Sequence, residues 1–372
     1  MFEIILMVLV VGVLGVVGYS AAGTLIDYLK SEGGESVTTP WEPPESSTPE
    51  ESETSETSDS ESADTTVQTV PDGSGAYLLP ATALADQRAL TGALAQAEKA
   101  GSKVIIVPVK DDEGHLLYSS QMASVKGTEL VTGTMPAGQI TSLIKGKGFT
   151  SVKALVPTLL DKLTSAYVDD MCYRFAGDGY NWLDGTPENG GKRWADPFRD
   201  GTRTYYTQLV RELTGAGFDE VLLSELKFPE FTTYDQTILD PRSFTATRYT
   251  ALTRLYTAAN SAASSKAAVA VNIADVLAGY GKSFKGSAEI LSDKSFTGTV
   301  YLTIRLSDFG TSLATSETAK INLPADPAHK VNTLVSRAVG YIGTNVTVVP
   351  VIEPVGLSPE ALEKCYGALA AE

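Results

Sequence analysis

The sequence predicts an α/β fold, a (β/α)8 TIM-like barrel preceded by a transmembrane helix and a disordered linker. Three observations carry this expectation. From Gly75 onward, short runs rich in Val, Ile and Leu alternate with amphipathic stretches. The apolar runs are continuous, the pattern of parallel strands covered on both faces. The chain beyond Gly75, roughly 300 residues, is long enough for one large barrel, which typically needs about 250.

The elements follow in order. A strand is expected at Tyr77–Pro80, a helix near Asp86–Ala100, and a strand at Lys103–Lys110. A helix near Pro136–Lys147 leads to the strand Ser151–Leu159, and one near Thr202–Ala216 leads to Glu220–Phe228. A helix near Thr245–Ser264 precedes the strand Ala267–Asp275, and Thr297–Leu306 is the next strand. A helix near Lys330–Tyr341, a strand at Asn345–Pro354 and a helix near Pro359–Leu369 complete the series. Seven or eight such units point to a closed barrel rather than an open doubly wound sheet. No GxGxxG or GxxxxGK[ST] follows the early strands, so nothing points to a nucleotide, and no cofactor is expected.

Ahead of the barrel, residues 1–30 read as a membrane anchor or signal segment. Ile4–Ile26 carries no charge and is long enough to cross about 30 Å of hydrocarbon. A cleaved signal peptide, cut near Ser20-Ala21-Ala22, is the alternative; the absence of a basic start and the length of the run favour the anchor. Residues 31–74 are mostly Ser, Thr, Glu and Pro, a composition that buries too little apolar surface to order itself. This reads as a stalk holding residues 75–372 off a cell membrane, single-pass, with the barrel extracytoplasmic.

The net charge is -16, and eleven acidic residues without one Lys or Arg lie between Ser31 and Val70. Without them the balance is -5, so the barrel itself is mildly acidic. No basic stripe is available to neutralise phosphates, which argues against nucleic acid. Cys172 and Cys365 read as two unpaired thiols, with a disulfide as the alternative. His115 and His329 share no metal-ligand spacing, so no metal is expected. There is no GxSxG, and neither His sits in a nucleophile-elbow context.

In a barrel of this class, functional groups sit just past the C-terminal ends of the strands. That rule selects Lys110, Asp111 and Asp112, then Glu225 and Lys227, then Asn272 and Asp275, then Arg305 and Glu353. The long excursion Ala166–Asp200 adds Trp182, Trp194 and Asp196. Flat aromatics beside carboxylates suit a sugar, as a stacking face with directional hydrogen bonds. The competing reading is a surface loop held together by its own Trp and Tyr.

Two stretches carry a resemblance. Val104–Tyr118, VIIVPVKDDEGHLLY, resembles the VVIDVKDDDG signature of a family of bacterial α-amylase-like barrels described as putative glycosyl hydrolase domains. Arg193–Phe231 resembles that family's second signature, W-x-DP followed by a helix and GFDEI-x-FDYVRFP. The resemblance covers most of Ala76 to Gly279 and implies glycoside hydrolysis by paired carboxylates. Aligning Lys227–Pro229 with the family's RFP puts Ser224 at its Asp position and Glu225 on the neighbouring Tyr. The family's S-x-DVFG segment is NIADVLAG here, which leaves its Asp at Asp275 or, by distance from the strand start, at Asn272.

The resulting expectation is a membrane-tethered barrel acting on a cell-envelope or environmental polysaccharide. Glu225, Asp275 and Glu353 are its catalytic candidates. Lys110, Asp111, Asp112, Trp182, Trp194, Asp196, Lys227 and Arg305 are its substrate-binding candidates. The alternative is a catalytically inactive barrel that binds glycan or scaffolds the envelope. The sequence leaves the oligomeric state open.

Overall fold

The computed structural model describes residues 75–177, 179–343 and 345–370. The anchor and the stalk lie outside the described residues. Among the described residues, no helix is long and apolar enough to cross a membrane.

Seven βα units follow one another: β1 (Ala76–Leu78), α1 (Gln87–Lys99), β2 (Val104–Pro108), α2 (Ala137–Gly146), β3 (Ser151–Pro157), α3 (Asp200–Gly215), β4 (Glu220–Ser224), α4 (Arg248–Ala262), β5 (Ala267–Asn272), α5 (Ile273–Ala278), β6 (Gly298–Ile304), α6 (Pro327–Ile342), β7 (Val346–Ile352) and α7 (Pro359–Ala370). The seven strands are all parallel and lie in chain order. The residues between β6 and α6 add an antiparallel hairpin, Ser312–Ala314 with Lys320–Asn322. In residues 232–237, Thr232 and Asp235 close a helical turn through reciprocal hydrogen bonds.

Local chemistry explains the helix starts. Asp86 accepts from the N–H of Ala89 at 2.8 Å and caps α1, which buries Leu90, Leu94 and Ala97 at helical spacing. A cap of this kind is worth about 1 kcal/mol. Asp326 caps α6 in the same way, with Pro327 in the first turn. Alternation along the strands divides the core in two. Inside the barrel, Ala76, Val104, Ile106, Leu222, Ala268, Ala270, Tyr301 and Val351 form a compact cluster. The alternate positions, such as Ile105, Val107, Leu223, Val269 and Val271, join the helices in a larger outer core.

Among the described residues the parallel sheet has seven strands, one fewer than the eight-stranded closure expected. A side chain spans the seam between first and last. The hydroxyl of Tyr366, on α7, donates to the carbonyl of Ala76 at 2.6 Å and accepts from the N–H of Ile352 at 2.9 Å. Its ring lies so close to Gly75 that a Cβ there would sit 1.9 Å from a ring carbon. Cys172 and Cys365 are both buried as free thiols, so the disulfide alternative falls.

Candidate functional site

The inner face of the barrel can be followed to its C-terminal rim by register. Leu222, Ala270, Tyr301 and Val351 belong to the inner cluster, so Ser224, Asn272 and Thr303 continue the inner face two residues further along β4, β5 and β6. Pro157 pairs with Ser224, Asn272 with Thr303, and Thr303 with Val351.

Arg305 and Glu353 lie two positions past Thr303 and Val351. The N–H of Glu353 donates to the carbonyl of Ile304 at 2.9 Å, which extends the β6–β7 ladder. The Arg305 Nε then donates to Glu353 Oε2 at 2.7 Å. Arg305 is half-exposed, while Glu353 is largely covered. The hydrogen bond and charge of Glu353 push the Arg305 guanidinium further up, and Asp308 and Asp112 add to the effect. Asp112, Arg305 and Glu353 therefore share one electrostatic neighbourhood.

Glu225 follows Ser224 at the end of β4. Its backbone is left-handed, with φ 48°, so the strand period stops there. Pairing with the chain after β3 holds this geometry: Thr158 N–H donates to Ser224 O at 2.8 Å, and Leu159 N–H to Glu225 O at 3.0 Å. The Glu225 carboxylate pairs with Lys227 at 2.7 Å, and both side chains are partly exposed.

Other expected site residues have different surroundings. Asp275 Oδ2 accepts from the N–H and hydroxyl of Ser287 at 2.8 and 2.6 Å. The Ser287 hydroxyl in turn accepts from Asn272 N–H at 2.9 Å, and Asn272 Oδ1 caps α5 through Ala274 N–H. Asp275 thus fastens the Gly286–Ser287 turn to the end of β5. Asp111 accepts from the N–H groups of Glu113, Gly114 and His115 and pairs with the His115 ring, which builds the turn after β2. Asp112 is left exposed on that turn. Lys110 is fully buried, bonded to Asp161 at 2.9 Å and to the Pro157 carbonyl at 2.8 Å.

The excursion Ala166–Asp200 turns its aromatics inward. Trp182 is 3% exposed and packs against Tyr173 and Phe231, with ring centroids 6.0 and 5.2 Å away. Trp194 is 8% exposed, and its Nε1–H donates to Asp184 at 2.7 Å. Asp196 is completely buried; it accepts from Phe198 N–H, the Ser243 hydroxyl and Arg199 Nε. Burial pushes its carboxyl up, against the lowering effect of those donors. Arg199 also reaches Asp170 at 3.4 Å and Asp240 at 3.1 Å. These indoles and this Asp hold the loop together.

Sequence reasoning did not select the Arg248–Glu289 pair. Arg248 starts α4, and Glu289 lies between α5 and β6. They join at 2.8 Å, with the guanidinium 4.8 Å over the Phe228 ring. Burial raises the Glu289 carboxyl, and Arg248 opposes it. No local motif links residues 41 apart. Thr303 was legible in principle, because it precedes Arg305 at the two-residue strand spacing. Among the described residues no group of three or more His, Cys, Asp or Glu could hold a metal ion.

No curated protein sequence matches the chain. Among solved structures, a hypothetical protein from Ruminiclostridium thermocellum is 15% identical, with 52% of this chain and 96% of that one covered and a TM-score of 0.44. An α-galactosidase from Thermus thermophilus, solved with stachyose, is 12% identical over 80% of this chain and 65% of that one, with a TM-score of 0.43. One from Lactobacillus brevis is 11% identical over 80% and 40%, with a TM-score of 0.41. The chain spans less than two thirds of either galactosidase, and likenesses this distant carry no argument. The family model described as "putative glycosyl hydrolase domain" matches residues 75–288, more than half of the chain, and the chain belongs to that family.

Proposed function

We propose that this protein is a carbohydrate-active hydrolase that takes a polysaccharide segment across the C-terminal mouth of its barrel and cleaves it. The observation that carries the reading is Glu225, a carboxylate in left-handed backbone at the end of β4. Strained non-glycine backbone of this kind costs about 1–3 kcal/mol and clusters at functional sites. The position is also where barrels of this class keep their chemistry. As general acid, Glu225 gives a proton to the glycosidic oxygen as its bond to the anomeric carbon breaks, and the proton released by the incoming water passes to a carboxylate of the site. A second carboxylate stabilises the oxocarbenium-like centre or activates water, and water adds across the broken C–O bond. Asp275 fastens the Ser287 turn, whereas Glu353 continues the inner face two positions past Val351 and is held there by Arg305, so Glu353 is taken as the second carboxylate. Arg305, Lys227 and Asp112 hold substrate oxygens and balance charge.

The test is the release of new reducing ends from cell-wall and capsular glycans. Glu225→Gln is expected to abolish release while leaving the thermal midpoint close to that of the parent. A fully active Glu225→Gln protein would sink the assignment.

A second reading, a non-catalytic glycan-binding module, is favoured by one observation. Ser224, not a carboxylate, occupies the inner position at the end of β4. It predicts glycan binding without reducing ends, unchanged by Glu225→Gln. We further propose that residues 1–30 tether the barrel and residues 31–74 hold it outside the membrane. Uncharged Ile4–Ile26 and the acidic stretch after it support this. Protease treatment of intact cells should then release the barrel, and a barrel fully protected until lysis would count against the arrangement.

A further inference from the structure

We propose that a groove between α6 and the hairpin is a second ligand site, for an acidic saccharide, separate from the strand-end residues of the mouth. Thr333, Ser336, Arg337, Gly340 and Tyr341 line one wall, and Ile321 of the hairpin lines the other. The five α6 positions are spaced three and four apart, so they form one stripe. The neighbouring stripe, Val331, Leu334, Val335, Ala338 and Val339, is buried against the barrel. The groove is shallow and open to solvent, with a volume of about 420 Å³.

Three features specify the ligand. Arg337 is half-buried, and its Nη1 donates to the Tyr341 hydroxyl at 3.2 Å. Among the described residues no carboxylate is in ion-pair contact with it, whereas Arg199, Arg248 and Arg305 each hold one. A planar guanidinium with donors to spare matches a carboxylate or a phosphate.

The second feature is that ring. A Cβ at Gly281, where φ is +77°, would come within 2.6 Å of Tyr341 Cδ1, so the glycine lets the backbone support the ring. The ring forms a flat apolar wall suited to the C–H face of a pyranose. The third is Gly340, where a Cβ would meet no other part of the protein within 4 Å, so the groove wall is open at that position. The Thr333 hydroxyl, which donates to the His329 carbonyl at 2.9 Å, can still accept from a ligand hydroxyl at this wall. A flat ring, a hydroxyl and one anion receptor together fit a uronate better than an isolated phosphate.

The test titrates the full chain with an oligogalacturonate, a neutral galactan oligomer and inorganic phosphate. The parent is compared with Arg337→Gln, Arg337→Lys, Tyr341→Ala and Glu225→Gln. The acidic oligomer is expected to bind the parent on the order of ten-fold tighter than the neutral one, a margin typical of charge-assisted hydrogen bonds. Arg337→Gln should remove that margin, Arg337→Lys should restore part of it, and Tyr341→Ala should weaken both oligomers. Arg337→Gln should leave any cleavage at the mouth unchanged and Glu225→Gln should leave groove binding unchanged, so either proposal can fail without the other. Equal binding of the two oligomers overturns the inference, as does acidic binding indifferent to Arg337→Gln. Phosphate that competes as well as the oligosaccharide, with no effect of Tyr341→Ala, overturns the saccharide assignment. Thermal melts of each variant identify any that fail to fold.

Discussion

Glu225 shows how one residue can be set by its backbone. A left-handed conformation is disfavoured for a residue with a Cβ by about 1–2 kcal/mol. The carbonyl of Glu225 is nevertheless held by Leu159 N–H, and its carboxylate by Lys227. Replacement by glycine relieves the backbone and removes an ion pair whose exposure limits its worth to about 0–1 kcal/mol. Glu225→Gly is therefore expected to change stability by less than about 1 kcal/mol, while Glu225→Val, β-branched in left-handed backbone, should cost more. Urea denaturation midpoints of the two variants check this; equal losses would mean that the backbone at this position is not strained. Asp275 was selected from the sequence by its order after β5, but its carboxylate is engaged by Ser287, twelve residues on. Spacing along the chain does not reveal which hydrogen-bond donors a carboxylate will meet.

At the scale of elements, the helices and strands were legible because each carries its own burial pattern. The runs Val104–Pro108 and Ala267–Asn272 are apolar almost throughout and became β2 and β5. The excursion Ala166–Asp200 was legible as a functional candidate only by composition, and its indoles proved to be internal. Its end is anchored by Arg199, which Asp170, Asp196 and Asp240 surround. Asp240 is held well below the usual carboxylate range, first by its hydrogen bond with Arg242, with burial opposing and Arg199 adding to the depression. Because its folded value lies below the unfolded one, its contribution is present above an unfolded pKa of about 3.9 and is lost as pH falls through the folded value. Asp196 has the opposite sign: its raised carboxyl disfavours the folded state increasingly as pH rises through the shifted value. Between pH 4 and pH 2 the parent should therefore lose stability more steeply than Asp240→Asn. Parallel curves for the two proteins would remove Asp240 from the acid response.

For the whole molecule, the deciding feature is how the sheet closes. Seven strands leave β1 and β7 joined through the Tyr366 hydroxyl, which satisfies Ala76 O and Ile352 N–H. A buried group left unpaired costs about 1–3 kcal/mol, so Tyr366→Phe should destabilise the barrel by about that much. A denaturation midpoint unchanged by Tyr366→Phe would show that the seam holds without the hydroxyl. The alternation of apolar runs with amphipathic helices determined, by itself, a parallel α/β barrel and the strand ends where chemistry should be sought. Family membership was legible too, through the KDDEG and WADP signatures at Lys110–Gly114 and Trp194–Pro197. Only the tertiary structure decided the strand number, the inward turn of Trp182 and Trp194, the pairing of Arg305 with Glu353, and the groove around Arg337. The physical reason is range. A strand or helix is selected by the residues within it, whereas closure and charge pairing depend on groups far apart in the chain, such as Ala76 and Tyr366, 290 residues apart.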